Sequence, residues 1–296
     1  MNGVIQPFID YLKFEKRFSG HTIRSYRDDL EGFFVFLRDE FGELGLTEIT
    51  PAVVRSWLAA LKEGGMSSRS VNRKISALRS FYKFQLRAGV VDQTPMAAII
   101  APKAKKRLPA FVEEGDMREL FERVEFPDDW AGWTARLILA ILYHTGMRLN
   151  ELVQLRERQA DAGLGCFKVL GKGNKERVIP VSPVLMKIVE EYKRLKRVEF
   201  GAPDTEFLLV GPKGTKLYPK YVYRVVREYL AQVTTIDKKS PHVLRHTFAT
   251  HLMNAGAELN SVKELLGHAS LAATQVYTHN TIEKLKEIYK KAHPKA

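Results

Sequence analysis

The sequence predicts a mainly α-helical protein of two domains, with a small antiparallel β-sheet in the second. Apolar residues recur at spacings of three and four through most of the chain, which is typical of helices that bury one face. A short basic segment, residues 101–110, separates two longer regions of this kind. Inside the second region, two β-rich runs flank a glycine-containing turn, which is the pattern of a hairpin.

The composition favours a folded protein with a polyanionic partner. Of the 296 residues, 45% are hydrophobic, which is enough for two domains with ordinary cores. Lys and Arg number 47 against 34 Asp and Glu, a formal net charge of +13. An excess of this size favours nucleic acid over a membrane surface, because no basic amphipathic anchor is evident. A basic cytosolic protein without such a partner is the alternative.

We expect a cytoplasmic protein with no membrane contact. No apolar run approaches the roughly 20 residues that a membrane helix needs, and residues 1–18 lack the basic-then-apolar order of a signal peptide. Cys166 is the single cysteine, so an intrachain disulfide is impossible.

Residues 1–100 predict four helices. The first two are IQPFIDYLKF and GHTIRSYRDDLEGFFVFLRDEF, each with its apolar residues on one side. Thr50 and Pro51 open the third, as an N-cap followed by proline at the first helical position. The fourth runs from Ser67 or Ser68 to Gly89, which supplies the stop.

Two basic stretches in this half of the chain are candidates for DNA contacts. Arg69 and Arg73 lie one turn apart on the fourth helix, away from its apolar stripe, although a solvated face is the alternative for any single arginine. The segment APKAKKRLPA, residues 101–110, carries four basic and no acidic residues between prolines. It predicts an interdomain linker whose Lys105, Lys106 and Arg107 track a phosphate backbone.

Residues 111–296 predict further helices and the small sheet. EEGDMRELFERV and WTARLILAILYHTG predict helices, the second ending at Gly146. CFKVL and ERVIPV predict strands joined by GKGNK, and EFLLV predicts a third strand. Helical patterns then run to the end, interrupted at Gly256, Gly267 and Thr278.

Two short motifs here carry charged residues at defined points. GKGNKER (171–177) lacks the Ser or Thr of a nucleotide-binding loop, so its glycines indicate a turn that holds Lys172 at a hairpin tip. From spacing alone, an ordinary surface lysine is the simpler interpretation. GMRLNEL (146–152) places Arg148 after a helix-ending glycine, with Glu151 three residues on and able to orient its guanidinium.

The run SPHVLRHTFATH (240–251) holds three histidines but predicts an anion site rather than a metal site. On a helix opened by Ser240, His251 lies about 180° around from His242, so the three imidazoles cannot meet at one ion. His246 shares a side with His242, but no acidic ligand is near, and it is interpreted as structural or supporting. Arg245 lies on the side of His242, and the two suit an oxyanion or phosphate at the helix N-terminus.

These motifs resemble the catalytic boxes of the tyrosine recombinases, the phage-integrase-like family. GMRLNEL, GKGNKER, HVLRHTFATHL and LLGHASLAATQVYTH occur in the family's order and spacing, and the likeness to Xer-type site-specific recombinases spans nearly the whole chain. It implies an N-terminal helical core-binding domain (1–100) that clamps DNA, and a C-terminal catalytic domain (111–296) with a tail helix at about 281–290. One departure is RQADAGLG (158–165), which replaces the usual turn and strand, so we expect the first strand to start late.

The resemblance also implies a role for each catalytic position. Tyr277 is the nucleophile that forms a 3′-phosphotyrosine. Arg148 and Arg245 bind the non-bridging phosphate oxygens, and Glu151 supports Arg148. His242 and His268 hydrogen-bond the phosphate and assist proton transfer, and Lys172 protonates the leaving 5′-oxygen. The covalent bond keeps the phosphodiester energy, so neither a metal nor another cofactor is expected.

The implied function is site-specific recombination through a Holliday junction. The partner is double-stranded DNA with two half-sites, bound by a homo-tetramer or a hetero-tetramer with a second recombinase, with a DNA translocase as a possible activator. The tail helix docks into a neighbour or packs in cis. Chromosome dimer resolution at cell division is the leading role. Integration of a mobile element, DNA inversion, a type IB-like topoisomerase and a DNA-binding protein without activity are the alternatives.

Overall fold

The computed structural model describes residues 2–103, 110–170, 176–201 and 206–267. The chain divides into two compact units, Met1–Arg107 and Leu108–Ala296. The described residues are mostly helical, and the second unit carries a small three-stranded antiparallel sheet. The predicted fold class is thus confirmed. No helix in the described ranges is long and apolar enough to cross a membrane.

The first unit contains the four predicted helices. They are α1 (Asn2–Asp10), continued by a π-helical turn (Tyr11–Glu15), α2 (Gly20–Phe41), α3 (Pro51–Glu63) and α4 (Ser68–Arg87). Ser19, Thr50 and Ser67 each accept a hydrogen bond from a backbone N–H three residues on, so these side chains set where α2, α3 and α4 begin.

Aromatic side chains fill the core of the first unit. The buried rings of Phe8 and Phe81 meet edge to face with centroids 5.5 Å apart, and Phe33 lies 4.9 Å from Trp57. These contacts join α1 to α4 and α2 to α3, and the edge-to-face pair of Phe34 and Phe81, with centroids 5.8 Å apart, joins α2 to α4. Because large aromatic side chains dominate core energetics, this cluster holds the four helices as one unit.

The second unit is built around a helix that is buried on nearly all sides. The helices in its described part are α5 (Glu114–Glu122), α6 (Trp130–Thr145), α7 (Leu149–Gln154), α8 (Pro183–Phe200), α9 (Pro219–Val233), α10 (Pro241–Asn254) and α11 (Leu259–Leu266). The sequence of α6 is apolar all round, so it packs in the centre, against α8, α9 and α10. It ends as predicted at Gly146, in the left-handed conformation.

The sheet has strand order β1 (Ala160–Asp161), β2 (Cys166–Leu170) and β3 (Glu176–Pro180). Strands β2 and β3 form the predicted antiparallel hairpin, in register from Cys166 opposite Pro180 to Leu170 opposite Glu176. The strand before the hairpin is only two residues long and lies inside RQADAGLG. The turn between β1 and β2 is closed by Asp161, whose carboxylate accepts a hydrogen bond from the Leu164 N–H at 2.9 Å.

The prediction of a third strand at EFLLV, residues 206–210, is wrong. This segment forms isolated bridges instead, Phe207 with Arg156 and Val210 with Lys216. Leu208, Leu209 and Val210 are buried, but the backbone groups of the segment bond to residues 155–157 and to side chains of α6 and α8 rather than to a neighbouring strand. A short apolar run bounded by turns does not distinguish these two outcomes.

Candidate active site

Of the site residues predicted in the second unit, the described ones, Arg148, Glu151, His242 and Arg245, lie where four helix ends come together. The C-termini of α6 and α11 lie beside the N-termini of α7 and α10, and a groove of about 960 Å³ opens there. Its lining includes Arg148, Leu170, Tyr223, His242 and Arg245. Helix N-termini present unpaired N–H groups and a positive dipole end, so the groove suits an anion.

Arg148 is held at the start of α7 by Glu151. The Arg148 backbone N–H donates to Glu151 Oε2 at 2.7 Å, and its Nη1 donates to Oε1 at 3.0 Å. Its Nη2 donates to the Gly267 carbonyl at 2.9 Å. The side chain remains 38% exposed, so the guanidinium is fixed in direction yet open to the groove. The structure thus brings together the two residues that GMRLNEL pairs.

Arg177 is a member of this cluster that the sequence did not single out. Its Nη1 and Nη2 donate to the two Glu151 oxygens at 2.7 and 2.8 Å, and both side chains are buried. Burial raises the pKa of Glu151, but the hydrogen bonds and charge of Arg177, followed by the backbone and side-chain hydrogen bonds of Arg148, outweigh it and lower this pKa. The sequence did contain a signal for this role, because the alternation of β3 places Arg177 on the same inward side as Ile179. A cation on a buried strand face implies a buried counter-charge.

Arg245 lies on the first turns of α10 and is buried beneath the groove. Its Nη1 donates to the Gly146 carbonyl and its Nη2 to the Leu266 carbonyl, both at 2.6 Å. Burial, and secondly the positive charge of Arg148, lowers the pKa of Arg245 to about 10. The group is therefore charged at neutral pH, and the two neighbouring cations are best balanced by an anion in the groove.

Gly146 is required where α6 meets α10. Its φ is +57°, and a Cβ there would lie 2.4 Å from Phe248 Cδ1 and 2.9 Å from Leu266 Cδ2. Any larger residue would push these helices apart and move the carbonyl that anchors Arg245. The glycine that the sequence marked as a helix stop also sets the width of the site.

The three histidines of α10 separate as predicted. His242, in the first turn, is exposed and lines the groove with Arg245. His251 is buried on the other side, where its Nε2 lies 2.9 Å from the Val112 carbonyl and its Nδ1 lies 3.1 Å from the Tyr143 hydroxyl. Burial lowers the pKa of His251 and of His246. With Nε2–H donating to Val112, a neutral His251 accepts from Tyr143 and ties α10 to α6.

Several predicted positions lie outside the described residues. They are Lys105, Lys106, Arg107, Lys172, His268, Tyr277 and the tail helix at about 281–290. The described chain comes close to the groove just before two of them. Leu170, two residues before Lys172, lines the groove, and Gly267, directly before His268, accepts from Arg148.

The candidate DNA-contact residues of the first unit lie on α4. Arg69 and Arg73 are both exposed. Arg73 is also bound within the unit, because its Nη1 donates to the buried carboxylate of Asp29 at 2.5 Å and to Ser25. Lys74 donates to the same carboxylate at 2.9 Å. Arg69 is therefore the simpler of the two arginines to test for a phosphate contact.

The arrangement can bind a tetrahedral anion and stabilise added negative charge on it. Two guanidinium groups, of which one is buried and one half-exposed, converge with an exposed imidazole at helix N-termini. Charge-assisted hydrogen bonds of this kind are about twice as strong as neutral ones. Donors fixed before the reaction favour a transition state in which charge develops on phosphate oxygens.

Comparison with protein families matches both units. Residues 111–284 match the Phage integrase family, and residues 5–89 match the family described as Phage integrase, N-terminal SAM-like domain. The first match contains the whole groove described above, and the second contains α2, α3 and α4.

Relatives of known name and similar solved structures agree with these matches. The tyrosine recombinase XerC of Staphylococcus saprophyticus is 40% identical, over 100% of this chain and 99% of that protein. The tyrosine recombinase XerC of Chlorobaculum parvum is 37% identical, over 99% of this chain and 94% of that protein. The XerH recombinase bound to difH substrate before cleavage is 25% identical with a TM-score of 0.67, covering 90% and 77%. The Tn1549 transposon integrase with circular intermediate DNA, at 18% identity and a TM-score of 0.70 (95% and 98%), shares the fold.

Proposed function

The chain belongs to the phage integrase family of tyrosine recombinases, and from that premise we propose that it cuts and rejoins double-stranded DNA at a specific site made of two half-sites. The enzyme class is DNA strand cleavage and ligation by transesterification. The observation that carries the proposal is the convergence of Arg148, Arg245 and His242 on one groove at helix ends. This is the donor set that a scissile phosphate requires.

We propose that Tyr277 attacks the scissile phosphate. A bond forms between the phenolic oxygen and phosphorus, and the bond from phosphorus to the 5′-oxygen breaks, which leaves a 3′-phosphotyrosine and a 5′-hydroxyl. Arg148 and Arg245 would stabilise the charge on the non-bridging oxygens. Lys172 would give its proton to the leaving 5′-oxygen, and His242 and His268 would hydrogen-bond the phosphate and assist proton transfer. Because one phosphoester replaces another, ligation is the reverse step and needs no ATP.

Strand exchange between two sites would require four protomers. We propose a homo-tetramer, or a hetero-tetramer with a second recombinase, that works through a Holliday junction, with the tail helix at about 281–290 docked on a neighbour. Chromosome dimer resolution is the proposed role, supported by relatives named XerC over nearly full length. Integration of a mobile element uses the same chemistry, and the likeness to the Tn1549 integrase in fold keeps it as the second candidate.

A nicked suicide substrate tests the proposal. When the 5′-hydroxyl strand diffuses away after cleavage, the covalent protein–DNA adduct cannot be religated and is visible in a denaturing gel. We expect adduct from the wild-type protein on the proper site, with and without EDTA. An absence of adduct on every site of the Xer and integrase types would contradict the proposal. Formation of product DNA with exchanged arms separates recombination from simple relaxation.

Replacing Arg69 by alanine is expected to weaken DNA binding through one lost phosphate contact. The slope of log Kd against log salt concentration should fall by about 0.9, because each phosphate contact releases counterions in that proportion. Fluorescence anisotropy across a salt series measures it. Arg38→Ala is the matched control, because Arg38 is an exposed arginine of the same unit paired with Asp39. If the slopes of the two variants are equal, Arg69 belongs to an ordinary solvated face.

A further inference from the structure

Three arginines hold the C-terminal end of α11 by its last carbonyl groups. Each of three consecutive carbonyls accepts from a different guanidinium: Leu265 from Arg177 Nε at 3.1 Å, Leu266 from Arg245 Nη2 at 2.6 Å, and Gly267 from Arg148 Nη2 at 2.9 Å. The end of a helix carries unpaired carbonyls and a negative dipole end, so cations are stabilised there. Two of these arginines line the groove, whereas Arg177 does not.

Arg177 also fixes both oxygens of Glu151. Oε1 accepts from Arg148 Nη1 and Arg177 Nη1, and Oε2 accepts from the Arg148 backbone N–H and Arg177 Nη2. Four hydrogen bonds on one buried carboxylate leave it a single orientation. Since Glu151 in turn directs Arg148, any rotation of this carboxylate would move a guanidinium that lines the groove.

The stem of Arg177 packs directly on Gly267. A Cβ on Gly267 would lie 2.9 Å from Arg177 Cδ and 3.1 Å from its Nε, and the φ of Gly267 is +64°. Gly267 thus lies between Arg177, which packs on its backbone, and Arg148, which bonds its carbonyl. The same residue is followed in the chain by His268.

We propose that Arg177 is a positioning residue for Arg148. It locks the Glu151 carboxylate and the end of α11, and these two contacts together aim the Arg148 guanidinium at the scissile phosphate. The inference rests on the proposed function, because it assigns Arg177 a part in DNA cleavage. Arg177 is buried and is not among the residues that line the groove, so in this role it acts through Glu151 and Gly267. Because Arg177 and Arg148 share the single negative charge of Glu151, that charge does not fully neutralise Arg148, which keeps a net positive charge toward the phosphate.

Arg177→Lys tests the proposal with the charge retained. Lysine keeps one bond to Glu151 but loses the planar fork and the bond to Leu265. We expect the rate of adduct formation at saturating suicide substrate to fall by about 10- to 100-fold, since displacements near 1 Å have effects of this size. The Kd for DNA should stay within about twofold, because Arg177 lies outside the groove lining.

A double variant separates positioning from general loss of stability. When Arg148 is already replaced by lysine, adding Arg177→Lys should slow adduct formation by less than about threefold more, because the guanidinium that Arg177 positions is no longer present. Lys196→Met is the matched control: Lys196 is another buried cation of this unit, bonded to Glu157 and to the Phe207 carbonyl, and it is absent from the groove lining. All rates are taken well below the midpoint of thermal unfolding of the least stable variant.

The outcomes separate the two proposals. An unchanged rate for Arg177→Lys, losses that multiply in the double variant, or an equal loss of rate in Lys196→Met would each overturn the positioning role while wild-type adduct still formed. If the wild-type protein forms no adduct, the proposed function fails and the role of Arg177 fails with it.

Discussion

Arg245→Lys is expected to lower the rate of DNA cleavage at saturating substrate by about 1,000-fold, near the upper limit for loss of one fixed donor to a developing charge. Arg245 is buried, and its two terminal nitrogens are anchored on Gly146 and Leu266. A lysine ammonium is a single point of charge that cannot hold both carbonyls and also face the groove. Single-turnover adduct formation on the suicide substrate gives the rate.

Arg194→Lys is the control for this substitution. Arg194 is exposed on α8 and pairs with Glu191, so the same chemical change there should leave the cleavage rate unaltered. DNA affinity of Arg245→Lys should change by much less than the rate, because the arginine contributes mainly when charge develops on the phosphate. A rate within tenfold of wild type would show that Arg245 does not stabilise the transition state.

Glu151→Ala is expected to lower the free energy of unfolding by about 3–5 kcal/mol, the usual effect of removing one partner of a buried ion pair. Arg177 would remain buried with no anion against its Nη1 and Nη2, and Arg148 would lose both contacts that begin α7. Urea unfolding followed by circular dichroism measures the change. Glu191→Ala removes an exposed carboxylate paired with Arg194 and should leave the unfolding free energy unchanged within error.

The effect of Glu151→Ala should also depend on pH. The pKa of Glu151 is lower in the folded protein than its ordinary value of 4.5. Its stabilising contribution is therefore fully present above about pH 4.5 and is lost as the pH falls through the folded value. The difference between wild type and Glu151→Ala should shrink on acidification below that point. A difference that stays constant down to pH 3 would mean that the carboxylate is not held ionised by the two arginines.

Local rules account for the helix ends, and with them for most of the groove. Thr50 and Ser240 cap α3 and α10 as the sequence predicts, α4 begins at one of its two predicted starts with Ser67 as its cap, and Gly146 ends α6 in the left-handed conformation. Because Arg148 follows that glycine and His242 follows the cap, their place at helix ends could be predicted without tertiary information. Each of these signals spans only a few residues.

Long-range pairings could not be predicted in this way. Arg177 and Glu151 are 26 positions apart, and no local sequence pattern near either residue identifies the other as its partner. EFLLV has the composition of a strand, but the tertiary packing of the second unit leaves it without a neighbouring strand to extend. The same holds for Asp29 in the first unit, whose buried carboxylate accepts a hydrogen bond from Arg73. From its position on α4 alone, Arg73 is predicted to contact DNA.

The proposed cleavage mechanism is tested by identifying the residue that becomes covalently bound to DNA. The adduct on the suicide substrate is digested with protease and nuclease, and the nucleotide-bearing peptide is sequenced by mass spectrometry. We predict a 3′-phosphate ester on Tyr277, and no adduct from Tyr277→Phe under conditions in which that variant binds DNA as wild type does. Attachment at another residue, a 5′-linkage, or undiminished adduct from Tyr277→Phe would contradict the proposed mechanism.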